Sequence, residues 1–173
     1  MTLAEATELI NCDKLTASEP EIWFDLGCGS GLFSEALGGL LHKDSLIYAV
    51  DREPATFRDR QIRFLQLDFV KDPLPDVSAD GILMANALHY VKDQLTFLTR
   101  IKKHLRLNGL FLLIEYDMQT PNPWVPYPIG FSSANDLFKR AGFGEVYTIS
   151  ERQSSFNRAR IYSVLFRRAS ISQ

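Results

Sequence analysis

The sequence predicts an α/β protein built on one doubly wound sheet, mostly parallel, that closes with a C-terminal antiparallel strand pair. Three observations carry that expectation. Short apolar runs alternate with segments of helical spacing along most of the chain. Alternating glycines follow the first apolar run, where a strand would turn into a helix. The last two apolar runs are separated by a polar stretch, Glu151 to Ala159, without a helical stripe, so they should pair antiparallel.

The elements follow in order. Residues 1–20 read as an N-terminal helix and lead-in to a single domain spanning 1–173. Ile22–Leu26 is a buried strand, and Ser30–Leu41 carries a helical stripe at Leu32, Phe33, Ala36, Leu37 and Leu40. Leu46–Val50 is a second strand stopped by Asp51, and Pro54 suits the first turn of a short helix. Ile62–Leu67 is a third strand ending at Asp68, and the Pro- and Asp-rich stretch Lys71–Ala79 is a loop. Gly81–Ala85 is a fourth strand. Leu95, Leu98, Ile101 and Leu105 mark a helix that Asn108-Gly109 should close. Leu110–Glu115 is apolar almost throughout, as a central strand covered on both faces should be. A rigid loop, Pro121 to Pro128, precedes a helix that Ser132 or Ser133 can cap and Gly142 stops. Val146–Ser150 and Arg160–Phe166 form the closing pair, which makes five βα units and two terminal strands.

Composition narrows the function classes. The chain has 173 residues, 46% hydrophobic and 23% charged, with a formal net charge of −2, so disordered, collagen-like and disulfide-scaffold classes are excluded. That balance gives no bulk drive toward nucleic acid or an anionic membrane. No apolar run approaches the roughly 20 residues of a membrane helix, and the acidic N-terminus is unlike a signal peptide. Cys12 and Cys28 lack metal-ligand spacing, so no metal is expected and a reduced, cytoplasmic setting is the expectation.

The segment Phe24-Asp25-Leu26-Gly27-Cys28-Gly29-Ser30-Gly31-Leu32 is the most informative. A dinucleotide fingerprint needs its third glycine where Leu32 stands, which argues against a pyrophosphate ligand and a nicotinamide-dependent oxidoreductase. Asp51, at the end of the second strand, can accept two hydrogen bonds from a ribose diol, and Asp68, ending the third, can receive an adenine amino group. Acids at successive strand ends face the crevice where such sheets bind ligands. Together they indicate a nucleoside site.

From Ile22 to Phe166 the chain resembles a class I S-adenosylmethionine-dependent methyltransferase of small-molecule type, whose fold is Rossmann-like. DLGCGSG resembles that family's first motif, AVDRE its ribose acid and LQLDF its adenine-side acid. MANALHYVKD, LNGLFLLIEYD and RAGFGEV resemble its later elements. The resemblance implies S-adenosylmethionine as cofactor and S-adenosylhomocysteine as product. It implies that Gly27, Gly29 and Gly31, with Cys28 and Ser30 between them, line the methionine portion. Asp51 and its neighbour Arg52 would hold the ribose, Asp68 and Phe69 would meet the adenine, and Asn86 with Leu88 would sit near the sulfonium.

Asp25 either contacts the cofactor directly or, as the leading reading, anchors the glycine loop through backbone N–H groups, and Cys28 is read as a small packing residue rather than a nucleophile. His89 and Tyr90 are candidates for base or substrate contact. No carboxylate partner for them is evident nearby in sequence, so support of the loop by His89 and packing by Tyr90 lead. Glu115, Tyr116 and Asp117 face the same choice. Trp124, in the loop that should cover the substrate, either stacks on a ligand or anchors the loop. Arg158, Arg160, Arg167 and Arg168 read as a solvated strand end. The leading function is methyl transfer to a small acceptor, with nucleic acid disfavoured because no Asn-Pro-Pro-Tyr segment follows the fourth strand. A non-catalytic S-adenosylmethionine-binding module is the alternative, motivated by the short N-terminus and missing lid.

Overall fold

The structure is a computed structural model that describes residues 1–15, 18–153 and 160–169. The first helix, α1 (Leu3–Ile10), starts at a reciprocal cap in which Thr2 Oγ1 accepts the Glu5 N–H and Glu5 Oε2 accepts the Thr2 N–H. Seven strands follow: β1 (Ile22–Leu26), β2 (Leu46–Asp51), β3 (Ile62–Gln66), β4 (Ala79–Ala85), β5 (Leu105–Tyr116), β6 (Phe143–Gln153) and β7 (Arg160–Arg168). They form one sheet in the order β3-β2-β1-β4-β5-β7-β6. The first five are parallel, and β7 lies antiparallel between β5 and β6. The order reverses between β1 and β4, which opens a crevice at their C-terminal ends.

Side chains alternate across this sheet into two cores. On β5, Phe111 and Leu113 face α3 (Gln94–Ile101) and α4 (Phe131–Arg140), while Leu112 and Ile114 face α1 and α2 (Leu32–Gly38). Trp23 on β1 is fully buried on the second side, and Phe138 stacks on Phe166 at 3.9 Å on the first.

The helices depart from expectation in four places. Residues 54–59 hold no helix, so Pro54 starts none. That segment lacks an apolar stripe and is pinned instead by Phe57, whose ring packs on Gly31, and by an Asp59 turn onto the Gln61 N–H. Helices therefore occupy the connections after β1, β4 and β5, and the five βα units reduce to three. The second helix spans Leu32–Gly38 rather than Ser30–Leu41, because Gly31 takes a left-handed φ of 91° at its start and the Gly38-Gly39 pair ends it.

Leu105 and Asn108-Gly109 lie in β5, not at the end of the preceding helix. Asn108 has φ 62° inside the strand, where the register on β4 jumps from Ala79↔Leu105 to Gly81↔Leu110. A left-handed Asn serves a bulge as readily as a helix end. Arg168 closes the gap by donating to the carbonyls of Lys102 and Leu105. Finally, α4 starts after Gly130, with Ser132 and Ser133 inside its first turn. Its cap comes from outside the segment, since Asp117 Oδ1 accepts the Phe131 N–H at 2.9 Å.

Candidate functional site

The glycine loop is built by backbone pairing first. The Gly27 and Cys28 N–H groups both donate to the Val50 carbonyl, and the Gly29 N–H donates to Asp51 Oδ2 at 2.8 Å. Asp51 Oδ1 accepts the Glu53 N–H at 3.0 Å, so this one carboxylate ties the loop after β1 to the turn after β2. Gly27 takes φ 80°, and a Cβ there would stand 2.6 Å from that of Ala87. Only glycine brings the backbone this close to the end of β4.

Asp25 does not anchor that loop. The strand's alternation turns it toward α2, where its Oδ2 accepts from Ser34 Oγ at 2.5 Å and its Oδ1 has no partner among the described residues. Full burial pushes its pKa up to about 7, Ser34 opposes the rise and the Asp51 charge adds to it. Burial likewise pushes the Cys28 thiol far above its usual range, so Cys28 is a packing residue, as expected.

A cavity of about 380 Å³ opens at the C-terminal ends of β1, β2 and β4. Gly27, Asp51, Arg52, Asp68, Phe69 and Asn86 line it, all of them anticipated, together with Val70, Lys71, Ala87 and Tyr90. Asp68 accepts the Val70 N–H and pairs with Lys71 at 3.2 Å. Partial burial raises its pKa, but these partners outweigh that, and its carboxyl stays below the usual range. The remaining anticipated residues lie elsewhere. Ser30 and Gly29 are exposed beside the cavity, Gly31 sits beneath the Phe57 ring, and Leu88 is fully buried in the core.

A second cavity, about 550 Å³, adjoins the first and shares Asn86 and Tyr90 with it. His89, Tyr116, Asn122, Trp124 and Val125 complete its walls. Asn86 takes φ 52°, and its buried Oδ1 has no hydrogen-bond partner among the described residues. Tyr90 is 57% exposed and Trp124 77% exposed, so neither packs under its loop; Val125 and Ile129 do that instead.

Histidine 89 has a carboxylate partner, and it comes from another strand rather than from its neighbourhood in sequence. Glu115, 1% exposed at the end of β5, approaches His89 Nδ1 with Oε2 at 2.7 Å and accepts the His89 backbone N–H on Oε1 at 3.1 Å. An ionised carboxylate only accepts, so in this contact Nδ1–H of the ring is the donor to Glu115. The signal in sequence was an acid ending an otherwise apolar run, LFLLIE. Its neighbour Asp117 is structural, as the cap of α4. Arg160, Arg167 and Arg168 are engaged with Glu151, Glu145 and backbone carbonyls, while Arg158 lies outside the described residues.

Comparison with known proteins agrees with this geometry. A family model described as "Methyltransferase domain" matches residues 24–113. An uncharacterized methyltransferase of Mycobacterium tuberculosis is 31% identical over 99 residues, covering 53% of this chain and 49% of that protein. The chain thus spans about half the length of the curated relatives it matches. Among solved structures, a Burkholderia thailandensis 1,6-didemethyltoxoflavin-N1-methyltransferase superposes with a TM-score of 0.72 at 16% identity, covering 97% of this chain and 78% of that one. Human N-acetylserotonin methyltransferase gives 0.69 at 21% identity, with 96% and 52% coverage. At such identities the likeness is one of fold.

Proposed function

The chain belongs to the methyltransferase-domain family, and on that premise we propose that it acts as one S-adenosylmethionine-binding domain that moves a methyl group to a small-molecule acceptor. The observation that carries this reading is the junction of two cavities at Asn86, one rimmed by strand-end carboxylates and the glycine loop, the other mostly aromatic.

The residues present fit the cofactor. Each oxygen of Asp51 already accepts one backbone N–H, and a carboxylate offers about four lone-pair sites, which leaves room for a ribose diol. Asp68 offers an acceptor for an exocyclic amino group, and Phe69 an apolar face beside it. Gly27 leaves space where a side chain would stand, and Asn86 presents an unpartnered oxygen at the junction. The Burkholderia structure holds S-adenosylhomocysteine and the human one S-adenosylmethionine, which supports this assignment of the first cavity. Bound there, S-adenosylmethionine supplies an electrophilic methyl group. The chain's contribution is then to hold the acceptor in line with it and to exclude water.

The second cavity falls within the volumes of roughly 300–1,000 Å³ usual for small ligands, which favours a small acceptor over a polymer. Among the described residues no helix is long and apolar enough to cross a membrane, and both cysteines are free, which suits the cytoplasmic setting proposed here. Calorimetric titration with S-adenosylhomocysteine, beside NAD as control, tests the reading. Micromolar binding of the first alone is expected. Binding of NAD, or of neither, would overturn it.

A further inference from the structure

We propose that the second cavity takes a neutral aromatic acceptor bearing an ionisable hydroxyl, a phenol-class compound, and that His89, held by Glu115, receives the hydroxyl proton at Nε2. This rests on the reading of the first cavity as the S-adenosylmethionine site. The juxtaposition of a buried His–Glu pair with exposed aromatic walls carries it.

Among the described residues no Lys, Arg, Asp or Glu side chain lines this cavity. A phosphate, carboxylate or ammonium there would lose its hydration without gaining an opposite charge. Glu115, a carboxylate behind the histidine, has both oxygens committed to His89. The walls suit a flat ring instead. Trp124 leaves most of its surface open, and Tyr90 packs against His89 with ring centroids 4.3 Å apart.

The wall is also rigidly placed. Asn122 Oδ1 accepts the N–H groups of both Trp124 and Val125 at 2.9 Å, and Asn122 and Val125 bridge through their backbones. The Tyr127 N–H donates to the His89 carbonyl at 3.0 Å, so the loop that displays Trp124 is fastened to the turn that carries the histidine. Preorganised aromatic surface of this kind costs little entropy to use in binding.

Burying Glu115 at the end of an apolar strand is costly unless its charge is used. Here it fixes the tautomer. His89 lines the cavity, and its Nε2 makes no hydrogen bond among the described residues. A phenol titrates near pH ~10, so at neutral pH its oxygen gains nucleophilicity only if a base takes the proton. The acceptor O–H bond breaks with its proton passing to Nε2, and a new bond forms from oxygen to the methyl carbon. The sulfur–methyl bond breaks with its electron pair staying on sulfur, which leaves S-adenosylhomocysteine. The imidazolium, stabilised by Glu115, then releases its proton to water.

The test uses 4-nitrophenol, whose anion is coloured, with protein saturated in S-adenosylhomocysteine. Bound to the wild type, the probe should show a ratio of anion to neutral form at least about tenfold that in free solution at the same pH. Glu115→Gln lets the amide donate to Nδ1, so the ring proton moves to Nε2; the variant should bind the probe but lose that enhancement. Trp124→Ala should weaken binding of both 4-nitrophenol and 4-nitroanisole about tenfold while leaving S-adenosylhomocysteine affinity unchanged. Equal ionisation in wild type and Glu115→Gln would overturn the base assignment. Tighter binding of 4-nitrobenzoate, benzylamine or cyclohexanol than of the phenol would overturn the acceptor class. If the Glu115 variant does not fold, the wild-type titration decides alone, since unshifted ionisation of the bound probe also overturns the proposal. Failure of S-adenosylhomocysteine to bind refutes the underlying reading instead, so the two failures are distinguishable.

Discussion

Replacing Asp25 with Asn removes a titration from the floor of the site and should flatten the dependence of stability on pH. The native carboxyl is enclosed, with one hydrogen bond from Ser34 and an unpartnered second oxygen, and its pKa is raised from 3.8 to about 7. The folded state therefore keeps its proton through a range in which the unfolded chain has already released it. Because the native state binds more protons there, stability falls as pH rises from about 4 to about 7 and then levels off. The gap between 3.8 and about 7 corresponds to on the order of 4 kcal/mol. An Asn amide mimics the protonated carboxyl, accepting from Ser34, so the variant starts near the wild type in acid. Its advantage should grow by on the order of 3 kcal/mol between about pH 5 and pH 8. Urea unfolding at several pH values, followed by fluorescence of the buried Trp23, measures this. Parallel stability curves for the two proteins would refute the reasoning.

Further predictions concern the loop, the site and the core. Gly29→Ala has φ 52° and open space, so it should cost about 1–2 kcal/mol, whereas Gly27→Ala meets Ala87 at 2.6 Å and should cost about 2–5 kcal/mol. Equal costs in chemical denaturation would exclude the Ala87 contact as the reason. Asp51→Ala should lower S-adenosylhomocysteine affinity about 10- to 100-fold by calorimetry, and unchanged affinity would refute the role of Asp51. Phe138→Ala, deep against Phe166, Phe111 and Phe143, should lose about 3–5 kcal/mol; a loss under about 1 kcal/mol contradicts the packing described. Tyr162→Phe strands the Ile129 carbonyl that its hydroxyl meets at 2.8 Å, and should cost about 1–3 kcal/mol, checked by the same unfolding assay.

The sequence by itself determined the strands, the glycine loop and the acids at the strand ends, because each is written in local terms. Apolar runs such as LIYAV and LFLLIE identify buried strands wherever they pair, and an acid directly after such a run lies at its C-terminal end. The helices were less legible where capping came from afar. Asp117 caps α4 from the end of β5, and the segment after Pro54 is held by Phe57 on Gly31, contacts with no local signature. Only the tertiary structure decided which acid does what. Strand alternation turns Asp25 away from the glycine loop and leaves Asp51, at the end of the adjoining strand β2, to tether it. Glu115 reaches His89 because parallel β4 and β5 end side by side, with Ala85 opposite Ile114. A doubly wound sheet assembles its site from strand ends that are remote in sequence, so pairings across that edge follow from register and face, which local pattern does not encode.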